Sequence, residues 1–201
     1  MKFYSQFGED EFIFKNKLLP EKGFFVDVGA ASPDFNSNTY FFEKRGWDGL
    51  CIDADPKQIH KMRGKRKQVM HGAVLDYDGK TKIDFHRLGD LTRVSKNGAD
   101  EVHCFKLETV FDIRGIEKVD YLSIDVEGQE LAVLKGLPAM TLENAPKVIV
   151  IEYTSFVDGD RSKKIIEFVN QIVKPLPDTT LKGRVYELVH RTQSNLIFKK
   201  K

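Results

Sequence analysis

Five short apolar runs, at residues 23–28, 49–53, 68–75, 119–126 and 147–153, alternate along this chain with helical stretches at 37–45, 56–63, 107–114 and 129–137. An apolar run without polar alternation is a strand buried on both faces. Strands of that kind belong to parallel sheets whose crossover helices cover both sides. The expectation is therefore an α/β fold, with the helix at 129–137 closed by Gly136 and Pro138. Ile165, Ile166, Phe168, Val169, Ile172 and Val173 then recur at helical spacing within 160–173, and Pro175 and Pro177 close that segment. The tail changes character, because 184–190 and 195–198 are β-like and flank a polar turn. They predict a terminal hairpin with at least one antiparallel strand. At 201 residues, 41% of them hydrophobic and 15 of them Phe, the chain has apolar material for one core, so a single domain over 1–201 is expected.

Bulk charge excludes little but points away from polyanions. Lys and Arg number 32 against 30 Asp and Glu, a net charge of +2, too balanced to imply a nucleic-acid or membrane surface. The basic run at 60–67 reads as a solvated helix face and turn in preference to a phosphate track. Cys51 and Cys104 lack the close spacing of a zinc site and read as reduced core residues. No apolar run approaches the roughly 18 to 20 residues that span a bilayer, and the opening Met1-Lys-Phe-Tyr-Ser lacks an apolar leader. A cytoplasmic protein without a membrane span is the expectation. Ser5 or Asp10 would cap a first helix over 11–18. Asp76-Tyr-Asp-Gly79 is turn chemistry leading into a strand at 81–85. The polar segment 87–101, with Gly89 and Gly98 and no convincing period, is the candidate for a mobile loop over a site, with His86 and Arg87 beside it.

Open α/β sheets hold ligands at the carboxyl ends of their strands. The first end, Asp27-Val-Gly-Ala-Ala31, keeps side chains small where backbone and ligand must approach. A dinucleotide fingerprint would need three spaced glycines, whereas Gly29, Ala31 and Asp34 stand at those positions. Asp27 and Asp34 would repel phosphates, which favours a cofactor with a cationic or zwitterionic end over NAD. At the second end, Asp53 is placed to accept hydrogen bonds from ribose hydroxyls, while Asp55 before Pro56 suits a helix cap. Ala73, Val74 and Asp76 would border an adenine. The fourth end, Tyr121-Leu-Ser-Ile-Asp-Val-Glu-Gly-Gln-Glu130, runs from an apolar strand into three carboxylates, Asp125, Glu127 and Glu130. For Glu127 and Glu130 a competing role is stabilisation of a helix N-terminus. Glu152 sits inside an apolar run, where an acid costs energy unless paired.

The ordered set Ser5-Gln-Phe-Gly-Glu-Asp-Glu11, Phe25-Val-Asp-Val-Gly-Ala30, Ser37-Asn-Thr39, Gly46-Trp-Asp-Gly49, Ile52-Asp53, Gly72-Ala-Val74, Ile124-Asp-Val-Glu-Gly-Gln-Glu130 and Ile151-Glu152 resembles the FkbM-type methyltransferases. The resemblance implies a class I (Rossmann-like) methyltransferase fold: a mainly parallel seven-stranded sheet with a reversed last strand, an antiparallel C-terminal hairpin and helices on both faces. It also implies S-adenosylmethionine as cofactor and O-methylation of a hydroxyl on a sugar, glycan or small natural product. By position, Asp27, Gly29, Ala30 and Ala31 would border the methionine part and Asp53 with Ala54 the ribose. Ala73 and Val74 would lie by the adenine, Asp125 and Glu127 near the reactive methyl, and Gln6, Glu9, Asn38 and Thr39 would join the cofactor wall. The catalytic candidates are Asp125, Glu127 and Glu152. Either Asp125 or Glu127 accepts the hydroxyl proton, or Asp125 and Glu152 share a Mg2+-like cation that acidifies the acceptor. Methylation of RNA, tracked by the basic run, and a non-catalytic S-adenosylmethionine-binding module are the alternatives.

Overall fold

The computed structural model describes residues 1–85, 92–153, 161–173 and 185–201. In chain order its elements are α1 (Glu9–Lys15), β1 (Phe24–Val28), α2 (Tyr40–Lys44), β2 (Asp48–Asp53), α3 (Pro56–Met62), β3 (Val69–His71), β4 (Ala73–Val74), β5 (Gly79–Phe85), β6 (Thr92–Val94), β7 (Asp100–Phe105), α4 (Leu107–Arg114), β8 (Tyr121–Ile124), α5 (Glu130–Lys135), β9 (Val148–Glu152), α6 (Arg161–Val169), β10 (Tyr186–Arg191) and β11 (Asn195–Lys200). Seven strands form the main sheet in the order β10-β11-β9-β8-β1-β2-β3. Pairings from β3 through β9 are parallel, and β11 runs antiparallel to both β9 and β10. The order reverses between β1 and β8, and that switch point is where such a sheet opens a crevice.

Both faces of the main sheet are buried, as the unbroken apolar runs require. Val26, Val28, Leu50, Ile52, Leu122, Ile124, Ile149 and Ile151 point to one side and pack with Val110 and Phe111 of α4, Val133 and Leu134 of α5, and Ile165 and Val169 of α6. Their neighbours one residue along, Phe25, Cys51, Tyr121, Val148 and Val150, point to the other side, against Ile13 of α1, Phe41 and Phe42 of α2, Trp47, and Ile59 and Met62 of α3. The period-2 alternation of a strand assigns each residue to its face. Cys51 and Cys104 are buried thiols.

Two expectations need correction. The run 68–75 is two strands in two sheets, because Val69–His71 pairs with Cys51–Asp53 while Ala73–Val74 pairs with Cys104–Phe105. The chain changes partner at Gly72, whose N–H is held by the Asp53 carbonyl at 2.9 Å. Of the segment expected to be a loop over 87–101, residues 87–91 lie outside the described residues, and residues 92–101 contribute β6 and the start of β7 to a four-stranded sheet ordered β4-β7-β5-β6. Its alternation is short and polar because only one face is covered, by the small cluster of Ala73, Leu75, Ile83, Val102 and Cys104. His86 and Arg87 lie outside the described residues.

Several boundaries also differ. The first helix begins at Glu9, on Gly8, whose φ of 82° is left-handed and which offers no side-chain cap. Helix α2 covers only Tyr40–Lys44, since Ser37 Oγ accepts from the N–H groups of Thr39 and Tyr40 and holds the preceding residues as a turn. Asp55 caps α3 as expected, accepting from Lys57 N at 2.7 Å with Pro56 at the start of the helix. Among the described residues no helix is long and apolar enough to cross a membrane.

Candidate active site

Backbone hydrogen bonds lock the carboxyl ends of β1, β2 and β8 together. Gly29 N and Ala30 N both donate to Ile52 O, at 2.9 and 3.1 Å, and Asp125 N donates to Val28 O at 2.9 Å. Gly29 has φ 80° and a Cβ there would be driven into the Asp125 carbonyl. The small residue expected for the sake of a ligand is thus demanded first by the chain itself. Beyond these ends opens a cleft of about 390 Å³, within the range of small-molecule sites.

Of the residues singled out in the sequence, Gln6, Asp27, Gly29, Ala30, Ala31, Asn38, Asp53, Ala54, Ala73, Val74, Asp125, Glu127 and Glu152 line this cleft. Glu9, Thr39 and Asp76 are not among its lining residues. Glu9 is fully buried and accepts hydrogen bonds from Phe7 N, Thr192 Oγ1 and Asn195 Nδ2, so it ties α1 to the C-terminal hairpin. Thr39 sits behind the wall, its hydroxyl donating to Asp27 Oδ2 at 2.5 Å. The lining residues that the sequence reading missed include Ser32, Phe35, Asn36, Ser37, Gly72, Ile83, Val94 and Gln129. Ile83 and Val94 come from the second sheet, whose packing over the cleft no local pattern announces.

Asp53 is held in place by two backbone donors: Ala31 N reaches Oδ2 and Asp55 N reaches Oδ1, each at 2.7 Å. Each oxygen keeps a further lone pair for a ligand. Burial lifts its pKa to about 6, against the opposing pull of those two N–H groups. Asp27 is likewise raised by burial, with Arg66 and the Thr39 hydroxyl working the other way.

Arg66 corrects the reading of the basic run as wholly solvated. Its side chain is completely buried. Nε donates to Glu43 Oε2 at 2.6 Å, a second nitrogen reaches Pro33 O and Ser37 Oγ at 3.2 and 3.3 Å, and the third reaches Thr39 Oγ1 at 2.7 Å. Lys67 Nζ is engaged too, by Trp47 O and Asp48 Oδ1 at 2.7 Å each. The cation beneath the cleft wall holds residues 33–39 against β1.

At the mouth of β8 and β9, one carboxylate oxygen from each of Asp125, Glu127 and Glu152 lies within 4.8 Å of the others. Burial is the main cause that raises the Asp125 pKa to about 7, the charge of Glu127 adds to it, and a hydrogen bond with Glu152 opposes it. Glu127 has φ 51°, a left-handed conformation costing a non-glycine residue about 1–3 kcal/mol and frequent at functional sites. Glu130 has the structural role: fully buried, it accepts from Val126 N and Gly128 N at 3.2 and 3.0 Å and is ion-paired with Arg161. It braces the turn that presents Glu127.

The seven-stranded sheet with its reversed β11 is the arrangement that the resemblance to the FkbM-type methyltransferases implies. Among solved structures, the chain is similar to a TehB-like S-adenosylmethionine-dependent methyltransferase from Corynebacterium glutamicum, with 14% identity over 98% of this chain and 89% of that one and a TM-score of 0.48. It is also similar to a precorrin-6y C5,15-methyltransferase from Geobacter metallireducens, with 11% identity over 96% of this chain and 88% of that one and a TM-score of 0.47. No curated protein matches. The methyltransferase FkbM domain matches residues 27–176, which include every lining residue except Gln6. The chain belongs to the FkbM methyltransferase family and is an S-adenosylmethionine-dependent methyltransferase.

Proposed function

We propose that this protein methylates a hydroxyl group of a sugar, glycan or small natural product, with Asp125 as the group that takes the hydroxyl proton. The observation that carries the reading is Asp125 itself, a carboxyl with its pKa at about 7, set between Glu127 and Glu152 at the cleft end of β8. A general base works best when its pKa lies near the operating pH. The cofactor suits the same cleft: among the described residues its lining includes Asp27, Asp53, Asp125, Glu127 and Glu152 but neither Lys nor Arg, which favours a ligand with a positive end over a dinucleotide phosphate. When bound, S-adenosylmethionine supplies an electrophilic methyl group on a sulfonium. Asp53 accepts hydrogen bonds from the ribose hydroxyls, while Gly29, Ala30 and Ala31 let the methionine part lie close to the backbone. Ala73 and Val74 border the adenine. Asp125, and after it Glu127 or Glu152, orients the acceptor oxygen in line with the methyl and removes its proton; alignment is the larger part of such catalysis.

A second reading is favoured by the three carboxylates within 4.8 Å: Asp125 and Glu152 hold a divalent cation that acidifies the hydroxyl. The RNA alternative loses support, because Arg66 and Lys67 of the basic run are committed to internal partners. Incubation with S-adenosylmethionine and panels of glycosides, phenols and RNA, followed by mass spectrometry, tests the proposal. It expects a methyl ether on a glycoside or small hydroxyl compound, absent in Asp125→Asn. Methylation confined to RNA, or at nitrogen or carbon, would overturn it. Activity abolished by EDTA and restored by Mg2+ selects the cation reading, and activity indifferent to EDTA selects direct proton transfer.

A further inference from the structure

Thr39 stands at the N-cap of α2, where a threonine hydroxyl ordinarily accepts from a backbone N–H of the first turn. Here the side chain makes no such bond. Thr39 is fully buried, and its hydroxyl donates to Asp27 Oδ2 at 2.5 Å while accepting from Arg66 at 2.7 Å. A guanidinium has donors only, so it takes a lone pair of the hydroxyl and leaves the single O–H proton for Asp27. The cap is forgone, and a cation is joined through one hydroxyl to a carboxylate that lines the cleft.

Arg66 does not need this link for its own charge. Its Nε meets Glu43 Oε2 at 2.6 Å, and charge is balanced within that buried pair. Adding Asp27, which is 4% exposed, sets two carboxylates against one guanidinium. One negative charge of the buried set is then left over, and an unmatched buried charge is costly. The side of Asp27 on which a cation can be added is the cleft. Burial raises the Asp27 carboxyl above its ordinary value, and the charge of Arg66 with the hydroxyls of Thr39 and Ser123 opposes it. Ser123 is the strand neighbour of Asp27 on β8 and accepts in turn from Asn38 Nδ2 at 3.3 Å. The carboxylate is therefore gripped from both sides before any ligand arrives, which lowers the cost of binding.

We propose that Thr39 and Arg66 are positioning residues for the cofactor: through the Thr39 hydroxyl, Arg66 fixes the Asp27 carboxylate as the anionic partner of the ammonium group on the methionine part of S-adenosylmethionine. This rests on the methyltransferase reading above and adds to it two residues that do not line the cleft. Their effect passes through Asp27, so a ligand without an ammonium group draws nothing from it.

Calorimetry with S-adenosylhomocysteine and with methylthioadenosine, which keeps the adenosine and the thioether but has no amino-acid part, tests the proposal. Thr39→Val holds the shape and removes the hydroxyl; it should weaken S-adenosylhomocysteine about tenfold and methylthioadenosine by less than about twofold, because only the former meets the Asp27 charge. Thr39→Ser, which retains the hydroxyl, should keep the wild-type preference between the two ligands. Arg66→Lys gives an independent reading with Thr39 intact: it should show the same selective loss, because one ammonium cannot serve Glu43, Pro33 O and Thr39 together. A merely structural role would weaken both ligands alike or neither, and either result overturns the inference. So does a preference lost in Asp27→Asn but kept in Thr39→Val and Arg66→Lys, which would leave the cofactor reading intact. Failure of the wild type to bind S-adenosylhomocysteine would instead overturn the reading beneath it.

Discussion

Asp125→Asn should make the protein more stable and less active, and the stability gain should depend on pH. The Asp125 carboxyl moves from an ordinary 3.8 to about 7 in the folded chain. At about 1.4 kcal/mol per pKa unit, ionising it in place costs on the order of 4 kcal/mol, and partial exposure to water trims this to roughly 2–4 kcal/mol. The sign follows from proton counts. Between pH 4 and 7 the folded state keeps a proton that the unfolded state has released, so this contribution to stability is complete below pH 4, falls as pH rises and is gone above 7. Asparagine carries no such charge. Against wild type, the variant should melt about 5–10 °C higher at pH 8 and only about a third as much higher at pH 5, where just over one of the roughly three pH units between the two pKa values has been crossed, taking about 2–4 °C per kcal/mol for a chain of this size. The change of the difference with pH isolates the charge from any lost packing. Calorimetric melting of both proteins at the two pH values reads it directly. Wild-type kcat/KM should rise with pH through about 7, and the variant should lose roughly 10²- to 10⁴-fold in kcat. An equal melting difference at pH 5 and pH 8, or a variant that keeps wild-type kcat, would refute the reasoning.

Three other outcomes are expected. Gly29→Ala forces a methyl group against the Asp125 carbonyl at a φ of 80°, so it should yield little folded protein or melt at least 10 °C lower; a melt within 2 °C would mean the turn is built otherwise. Arg66→Met leaves Glu43 buried without its cation, which should remove about 3–5 kcal/mol in urea unfolding, with part of that recovered on adding Glu43→Gln. Asp53→Asn should weaken S-adenosylhomocysteine about tenfold by calorimetry at pH 8, through loss of charge-assisted hydrogen bonds, while raising the melting temperature there, because burial holds Asp53 at about 6; unchanged affinity would remove Asp53 from the ribose site.

The legible parts of the sequence were those where one local rule dominates. The apolar runs announced β1, β2, β8 and β9 because residues such as Val26 and Phe25 are buried on opposite faces. Asp55-Pro56 announced the start of α3 because capping is a two-residue affair. The split at Gly72 was hidden, since continuous hydrophobicity says that a segment is buried and not which sheet buries it. Arg66 was hidden as well: in a run of basic residues its neighbours are solvated, and only the distant Glu43, Ser37 and Thr39 explain why one member turns inward. Glu127, a catalytic candidate, and Glu130, three residues on, shared a competing reading as acids at a helix N-terminus. The fold separates them, because one faces the cleft and the other closes the turn onto Arg161.

A crystal structure with bound S-adenosylhomocysteine tests the central claim, that the cofactor lies across these strand ends with its sulfur at the acidic centre. The account predicts ribose hydroxyls hydrogen-bonded to Asp53 and the sulfur facing Asp125 and Glu152. A ligand bound outside the cleft, or lying in it with the sulfur toward Ile83 and Val94, would contradict it.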